Sequence, residues 1–376
     1  MTGDTGWTAG MSAGVFPGVA AGDAAKDVEA ASAAVQFRLA DGKPARGTIT
    51  VARDEPTAPE ALSARRVRLD LEGEWLQILI DGDVKETGYE RLDNEILAGL
   101  RLHKAAWPTG GYPSEVSRLH GYEATSADPF ALLEPYRGKP LAEVAAQLTL
   151  ESQQLFRVSL LTGLCWLAAA GIAHRGLSPS TVRWDGQRVQ ITDFSLSTVT
   201  RVPRQEAGSP PWAAPEQLPG GCHGLVTERD DIWAAGQLIF YMAARKPLTD
   251  PSQLADYGLR ELLRGVFGPV SSRPTAREIM TGRDRLNMTC PVPDGFAIDS
   301  GLSSGYARFR AEQLRKHPGA PPPRSPGGRD DGPVAPGLAM APGDEAGAAA
   351  PNGTQPAQAG QPDHQRKRFS LRRGNR

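Results

Sequence analysis

Cysteine is almost missing from this chain. Cys165, Cys222 and Cys290 are the whole set, an odd number without metal-type spacing, which excludes a disulfide framework and points away from a zinc site. Cys222-His223 lies between glycines and reads as a loop, not a ligand pair. Charge is in no excess either: a net charge of -1 argues against a protein built around nucleic acid or an anionic membrane. Long apolar runs are also lacking. The most apolar stretch, VSLLTGLCWLAAAGIA at 158–173, falls short of the ~20 residues that a spanning helix needs. It is also broken by Ser159, Thr162, Gly163 and Gly171, so no membrane span is expected and a buried helix at the centre of a globular lobe is. The opening MTGDTGWTAG lacks the positive stretch and apolar run of a signal peptide, so the expected setting is reduced and cytoplasmic.

Large apolar residues are absent from both ends. Of the 42 Gly and 32 Pro, many fall after residue 288, and the opening stretch is rich in Ala, Gly and Ser. Such segments bury too little surface to offset their ordering entropy. Residues 1–33 and 289–376 are therefore expected to be disordered flanks, the second ending in a basic tail of Arg366, Lys367, Arg368, Arg372, Arg373 and Arg376.

Between the flanks two patterns follow one another. VQFRLA, GTITVA, RVRLDL and WLQILI alternate like strands and are separated by turn residues. GYERLDNEILAGLRLHKAA then carries Leu92, Ile96, Leu97 and Leu100 at helical spacing, and ALLEPYRGKPL gives one more strand. Afterwards the chain reads as helical over 141–172, about 227–244, 253–266 and 274–286. The expected fold is α+β with two lobes, a β-rich lobe at 34–134 and a helical lobe at 135–288.

Four segments carry a more specific signal. AHRGLSPSTVRWDGQRVQITDFSLS, residues 173–197, contains His174-Arg175 and Asp193-Phe194. GSPPWAAPEQ contains Ala214-Pro215-Glu216, ERDDIWAAGQLIFYMAARKPL contains Asp231 and Gly236, and SSRPTAREIM contains Arg273. In this order and spacing they resemble a Hanks-type serine/threonine protein kinase domain of the bacterial kind, over roughly residues 66–286. The resemblance implies a bilobal kinase-like fold. It also implies a buried Glu216–Arg273 ion pair, an Asp231 that accepts hydrogen bonds from the backbone at His174 and Arg175, and an apolar spine holding His174 and Phe194. No role is legible for the strands of residues 34–53, which precede the matched span.

The same resemblance exposes gaps. Gly176 stands where the catalytic aspartate belongs, Ser178 where the lysine belongs, Thr181 where the asparagine belongs and Ser195 where the last glycine of Asp-Phe-Gly belongs. Phosphoryl transfer needs that aspartate to handle the acceptor proton, the asparagine and the Asp-Phe-Gly aspartate to hold metal, and a β3 lysine paired with an αC glutamate. Loss of the general base alone costs about 10²–10⁴ in rate. Glu95 matches the αC glutamate, but the β3-like WLQILIDG offers only Gln77 and Leu79 near the lysine position, with Lys85 in the turn beyond as a rescue. The glycine-rich loop fits two registers. GKPARG has Gly42 and Gly47 with Pro44 in place of the middle glycine, and VARDEPTAPEALSAR has no glycine. Asp193 alone survives as a metal ligand, and a solvated or capping acid explains it equally well.

The expected function is that of a pseudokinase acting on unidentified protein partners, with no cofactor required. Three alternatives stay open: a weak or unorthodox kinase using ATP and Mg, a domain that binds ATP without transfer, and an unrelated catalytic use of the fold. Ser370, in RKRFSLRR, resembles a phosphorylation site for a basophilic kinase.

Overall fold

The computed structural model describes residues 32–55, 62–70, 72–81 and 85–293, with residue 311. Ser370, the basic tail and most of both expected flanks lie outside these residues. Ser32 and Ala33 already belong to a strand, and Cys290 and Val292 are buried in the core, so the folded region runs past both expected limits.

The first lobe follows from period-two patterning. In β1 (Ser32–Leu39), β2 (Pro44–Glu55), β3 (Leu62–Leu69) and β4 (Glu72–Ile80), successive side chains leave opposite faces. One face gathers Phe37, Ile49 and Val67 with Phe130 and Leu132 of β6 (Phe130–Leu133). The other gathers Leu62, Ala64, Leu76 and Ile78 against Leu92 and Ile96 of α1 (Lys85–Ala106). With β5 (Leu119–Glu123) the sheet closes into a barrel in the order β1-β2-β3-β4-β6-β5. The helix packs outside, so the first face is the barrel interior. The strands without a legible role form part of the wall: β1 pairs Arg38 with Tyr122 and Leu39 with Gly121, covering the edge that β5 would leave open. Glycine at 121 permits the approach, because a Cβ there would lie 2.7 Å from the Phe37 ring and 2.8 Å from the Arg38 carbonyl.

The second lobe is built on α3 (Leu150–Ala170), which is apolar nearly all round. It buries Phe156, Leu160, Leu161, Leu164 and Leu167, each side chain contributing about 1.5–3 kcal/mol. The expected helix over 141–172 is in fact broken. It divides into α2 (Leu141–Val144), a 3-10 turn over Ala145–Gln147, and α3, because Thr149 caps a new start by accepting from the Ser152 N–H. Across from it, α4 (Asp230–Ala244) starts three residues later than expected. There Asp230 accepts from the Thr227 N–H and hydroxyl, holding 227–229 in a turn.

The expected helix over 253–266 is not formed. A 3-10 turn covers Pro251–Ala255 and further turns follow, with Gly258 (φ +65) and Gly265 (φ +78) left-handed. The last expected helix shortens to α5 (Ala276–Thr281), boxed at its start by Thr275 and Glu278. No helix among the described residues is long and apolar enough to cross a membrane, and no cluster of metal-ligating side chains occurs among them. All three cysteines are free.

Candidate functional site

The cleft between the lobes is organised by one buried carboxylate. Asp231, in the first turn of α4, accepts the backbone N–H of His174 at 2.7 Å and of Arg175 at 2.8 Å. Burial raises its pKa, and the nearby His174 and these two N–H groups oppose the rise. The His174 ring accepts the Gly176 N–H on Nδ1 at 3.2 Å, so Nε2 carries the proton donated to the Thr192 carbonyl at 3.0 Å. Phe194 packs on that ring at 4.9 Å between centroids. The loop that follows His174 is thereby fixed from below.

Along this loop the degenerate positions make local structure. Gly176 offers no side chain, and a Cβ added there would lie 3.0 Å from Cδ1 of Leu196, which covers the position. The Thr181 hydroxyl accepts the Ser178 N–H at 2.9 Å and donates to the Gly176 carbonyl at 3.0 Å, so both its functions are engaged inside the loop. Ser178 pairs its hydroxyl with that of Ser180 at 2.8 Å. Asp193 has left-handed backbone (φ +63), and its carboxylate accepts the Ser195 N–H at 3.2 Å.

From above, α1 grips the same turn. Glu95 accepts the Phe194 N–H at 2.6 Å, and Asn94 donates to the Ser195 carbonyl at 2.9 Å. Burial, with the like charge of Asp193 adding to it, pushes the Glu95 carboxyl up to about 8, which leaves it protonated at neutral pH. The residues facing α1 from β4 are Leu76 and Ile78, buried with Leu92 and Ile96. This corrects the expectation of Gln77 or Leu79. Strand parity turns those two to the barrel interior, where Gln77 accepts Nε of Arg65 at 2.8 Å. The Lys85 side chain lies outside the described residues.

The first glycine-loop register is also corrected. Asp41, beside Gly42, acts electrostatically on His103 in the last turn of α1, whereas Glu55 at the other end of β2 acts on Tyr136 and Arg183. The Gly42 hairpin and Glu55 therefore lie at opposite ends of β2. In the second register the connection, residues 56–61, lies outside the described residues.

Two cleft residues escaped the sequence reading. Tyr136 follows β6 in the connection between lobes, and its ring packs against the cluster of Leu62, Ala64, Leu76 and Ile78 under the sheet. Arg183 is the middle residue of β7 (Val182–Trp184), between two buried neighbours, so its side chain leaves by the other face. Its guanidinium lies 5.6 Å from the Tyr136 ring centroid. It donates to the carbonyls of Gly138 at 2.8 Å and Arg137 at 3.3 Å. Burial raises the Tyr136 hydroxyl well above its ordinary range, and Glu95 and Asp193 push the same way. The legible signal was the parity of Arg183 in TVRW; nothing in LLEPYRG marked Tyr136.

The lower lobe carries two buried ion pairs. Arg273 donates to both carboxylate oxygens of Glu216, at 2.6 and 3.2 Å, and to the carbonyls of Arg229 and Gly268. Arg204 binds Asp230 at 2.8 and 2.9 Å, a pair the sequence did not suggest. Arg175 donates to the Gln205 carbonyl, and Gln217 donates to the Arg175 carbonyl at 3.3 Å, joining the loop to the segment before Glu216.

Among the described residues the donors do not fit a magnesium nucleotide. Asp193 is a single carboxylate, the Thr181 hydroxyl is engaged in its loop, and the groups acting on Glu95 among the described residues are a like charge and an N–H, with no cation.

Residues 113–278 match the family model for the Protein kinase domain. The match begins after α1, so it excludes β1 to β4 and the helix that carries Glu95. Serine/threonine-protein kinase PLK4 of Xenopus laevis is 29% identical over 203 residues, 46% of this chain and 20% of that protein. CBL-interacting protein kinase 4 of Oryza sativa subsp. japonica is 29% identical over 154 residues, 38% of this chain and 33% of that protein. Serine/threonine-protein kinase grp of Drosophila melanogaster is 31% identical over 137 residues, 34% of this chain and 24% of that protein. The chain thus spans between a fifth and a third of these relatives' lengths. With two lobes of strands and helices joined around His174, Asp193 and Asp231, the chain has a kinase-like α+β architecture, and its residues 113–278 are similar to protein kinase domains.

Proposed function

We propose that this kinase domain is a pseudokinase, a degenerate relative of the bacterial Hanks-type serine/threonine kinases. It acts in phosphorylation signalling by binding other proteins, in a cytoplasmic setting, and not by transferring phosphate. The observation that carries this reading is at position 176. A transferring enzyme needs a carboxylate there to orient the acceptor hydroxyl, whereas this chain has a glycine with Leu196 packed over it. Ile78 at the lysine position and a protonated Glu95 bound to backbone support the same reading. Incubation of the purified chain with radiolabelled ATP, magnesium or manganese, and a basic protein substrate is expected to give incorporation no higher than a heat-killed control. Turnover of about 1 per second, ordinary for a kinase, overturns the proposal.

A further inference from the structure

Between the lobes, the apolar cluster of β3, β4 and α1 lies on the upper side and β7 on the lower. Tyr136 and Arg183 meet here from different elements. The Tyr136 ring lies against the cluster of Leu62, Ala64, Leu76 and Ile78, and the Arg183 guanidinium covers it from the lower lobe while donating to two carbonyls of the connection. We propose that Tyr136, capped by Arg183, is a built-in plug that fills the interlobe cleft and joins upper sheet, connection and lower lobe, where a transferring kinase has a nucleotide. The inference rests on the pseudokinase reading and adds to it the state of the cleft and the kind of ligand it would take.

The chemistry around the ring sets that ligand class. Apolar side chains form the roof, the flat guanidinium forms one wall, and the connection supplies carbonyls already used by Arg183. This environment suits a planar, uncharged aromatic. It does not suit a polyphosphate, because Glu95 and Asp193 present carboxyl groups and Ile78 presents hydrocarbon where a cation is required. Tyr136 is itself half-buried, packed on the upper cluster on one side and covered by Arg183 on the other. Arg183 belongs on this face because an aromatic ring attracts a cation over it, an interaction that strengthens as both are desolvated.

Truncation of Tyr136 then leaves a hole shaped for its own side chain. The experiment uses the full chain and Tyr136→Ala, with 4-methylphenol, adenosine and magnesium ATP as separate probes, read by thermal shift and calorimetry. Phosphate incorporation is measured on the same samples. Expected are no shift of the wild-type chain with any probe, and a lower melting temperature for the variant. The variant should bind 4-methylphenol or adenosine at least tenfold more tightly than the wild type, with no gain from the triphosphate over adenosine. If Tyr136→Ala is insoluble, Tyr136→Val, which keeps a branched apolar group under the sheet, carries the same expectation. Wild-type binding of adenosine or ATP without transfer removes the plug and leaves the pseudokinase reading standing, while binding with transfer removes both. A soluble variant that melts like the wild type, or binds neither 4-methylphenol nor adenosine more tightly, removes the plug alone.

Discussion

In the helical lobe two buried arginines meet carboxylates: Arg273 finds Glu216, and Arg204 finds Asp230. Asp231 finds two N–H groups instead. In the cleft half the pattern is reversed. Glu95 is buried beside another acid and is held by one N–H. The first arrangement preserves charge and shape together; the second preserves shape by neutralising charge. Sequence similarity follows the same division, since the match to the kinase family starts at residue 113, past α1. Interactions that hold the lower lobe do not depend on a ligand, so they persist when chemistry is lost. Groups whose only counter-charge was a lysine or a metal are free to change once that partner is gone, provided their backbone contacts survive.

The comparison breaks most visibly at Arg273. Arg273→Ala strands the Glu216 carboxylate and two carbonyls, and is expected to cost about 3–5 kcal/mol. The readout is loss of soluble protein or a melting temperature lower by roughly 10 °C or more. An unchanged melting temperature would mean that the lower lobe does not depend on its ion pairs.

A smaller effect is expected at Glu95, and it has a sign. With a folded-state pKa raised from 4.5 to about 8, the folded chain holds a proton that the unfolded chain has released between those values. Its stabilisation is therefore complete below about pH 4.5 and is lost as pH rises through about 8, on the order of 2–4 kcal/mol across the window. Denaturant midpoints at pH 5, 6, 7 and 8 should fall in the wild type, and Glu95→Gln, which keeps an acceptor for the Phe194 N–H, should flatten that part of the slope. A slope unchanged by the substitution would show that Glu95 is ionised in the fold.

The smallest expected effect is on activity. Gly176→Asp should leave autophosphorylation at background, because Leu196 crowds the new side chain and the other missing groups act as a unit with the base. Adding Ser178→Lys, Thr181→Asn and Ser195→Gly should give the same result. Measurable transfer by the single variant would mean that the cleft half is as intact as the helical lobe.

The sequence was most legible where function and folding coincide. His174, Arg175, Glu216, Asp231 and Arg273 were readable because short motifs fix their backbone setting. Leu92 and Ile96 were readable because helical spacing shows which face is buried. Position 78 was misread as 77 or 79 for a physical reason: a slip of one residue in a strand exchanges the two faces, and WLQILI is apolar on both. The absent helix at 253–266 hid behind apolar residues that pack from turns, with Gly258 and Gly265 as the overlooked warning. Barrel closure and the Tyr136 plug were out of reach, since each depends on residues distant in sequence meeting in space, Phe37 with Gly121 in one case and Tyr136 with Arg183 in the other.

Barrel closure also restricts how partners bind. A protein that docks by strand addition needs a row of unpaired N–H and C=O groups along an open sheet margin. Here β1 pairs with β5 at Arg38 and Leu39 and closes the ring of six strands over that part of the margin. Recruitment through this lobe must then be read out by side chains, which makes it sensitive to single substitutions on the outer wall and indifferent to the backbone conformation of an incoming peptide.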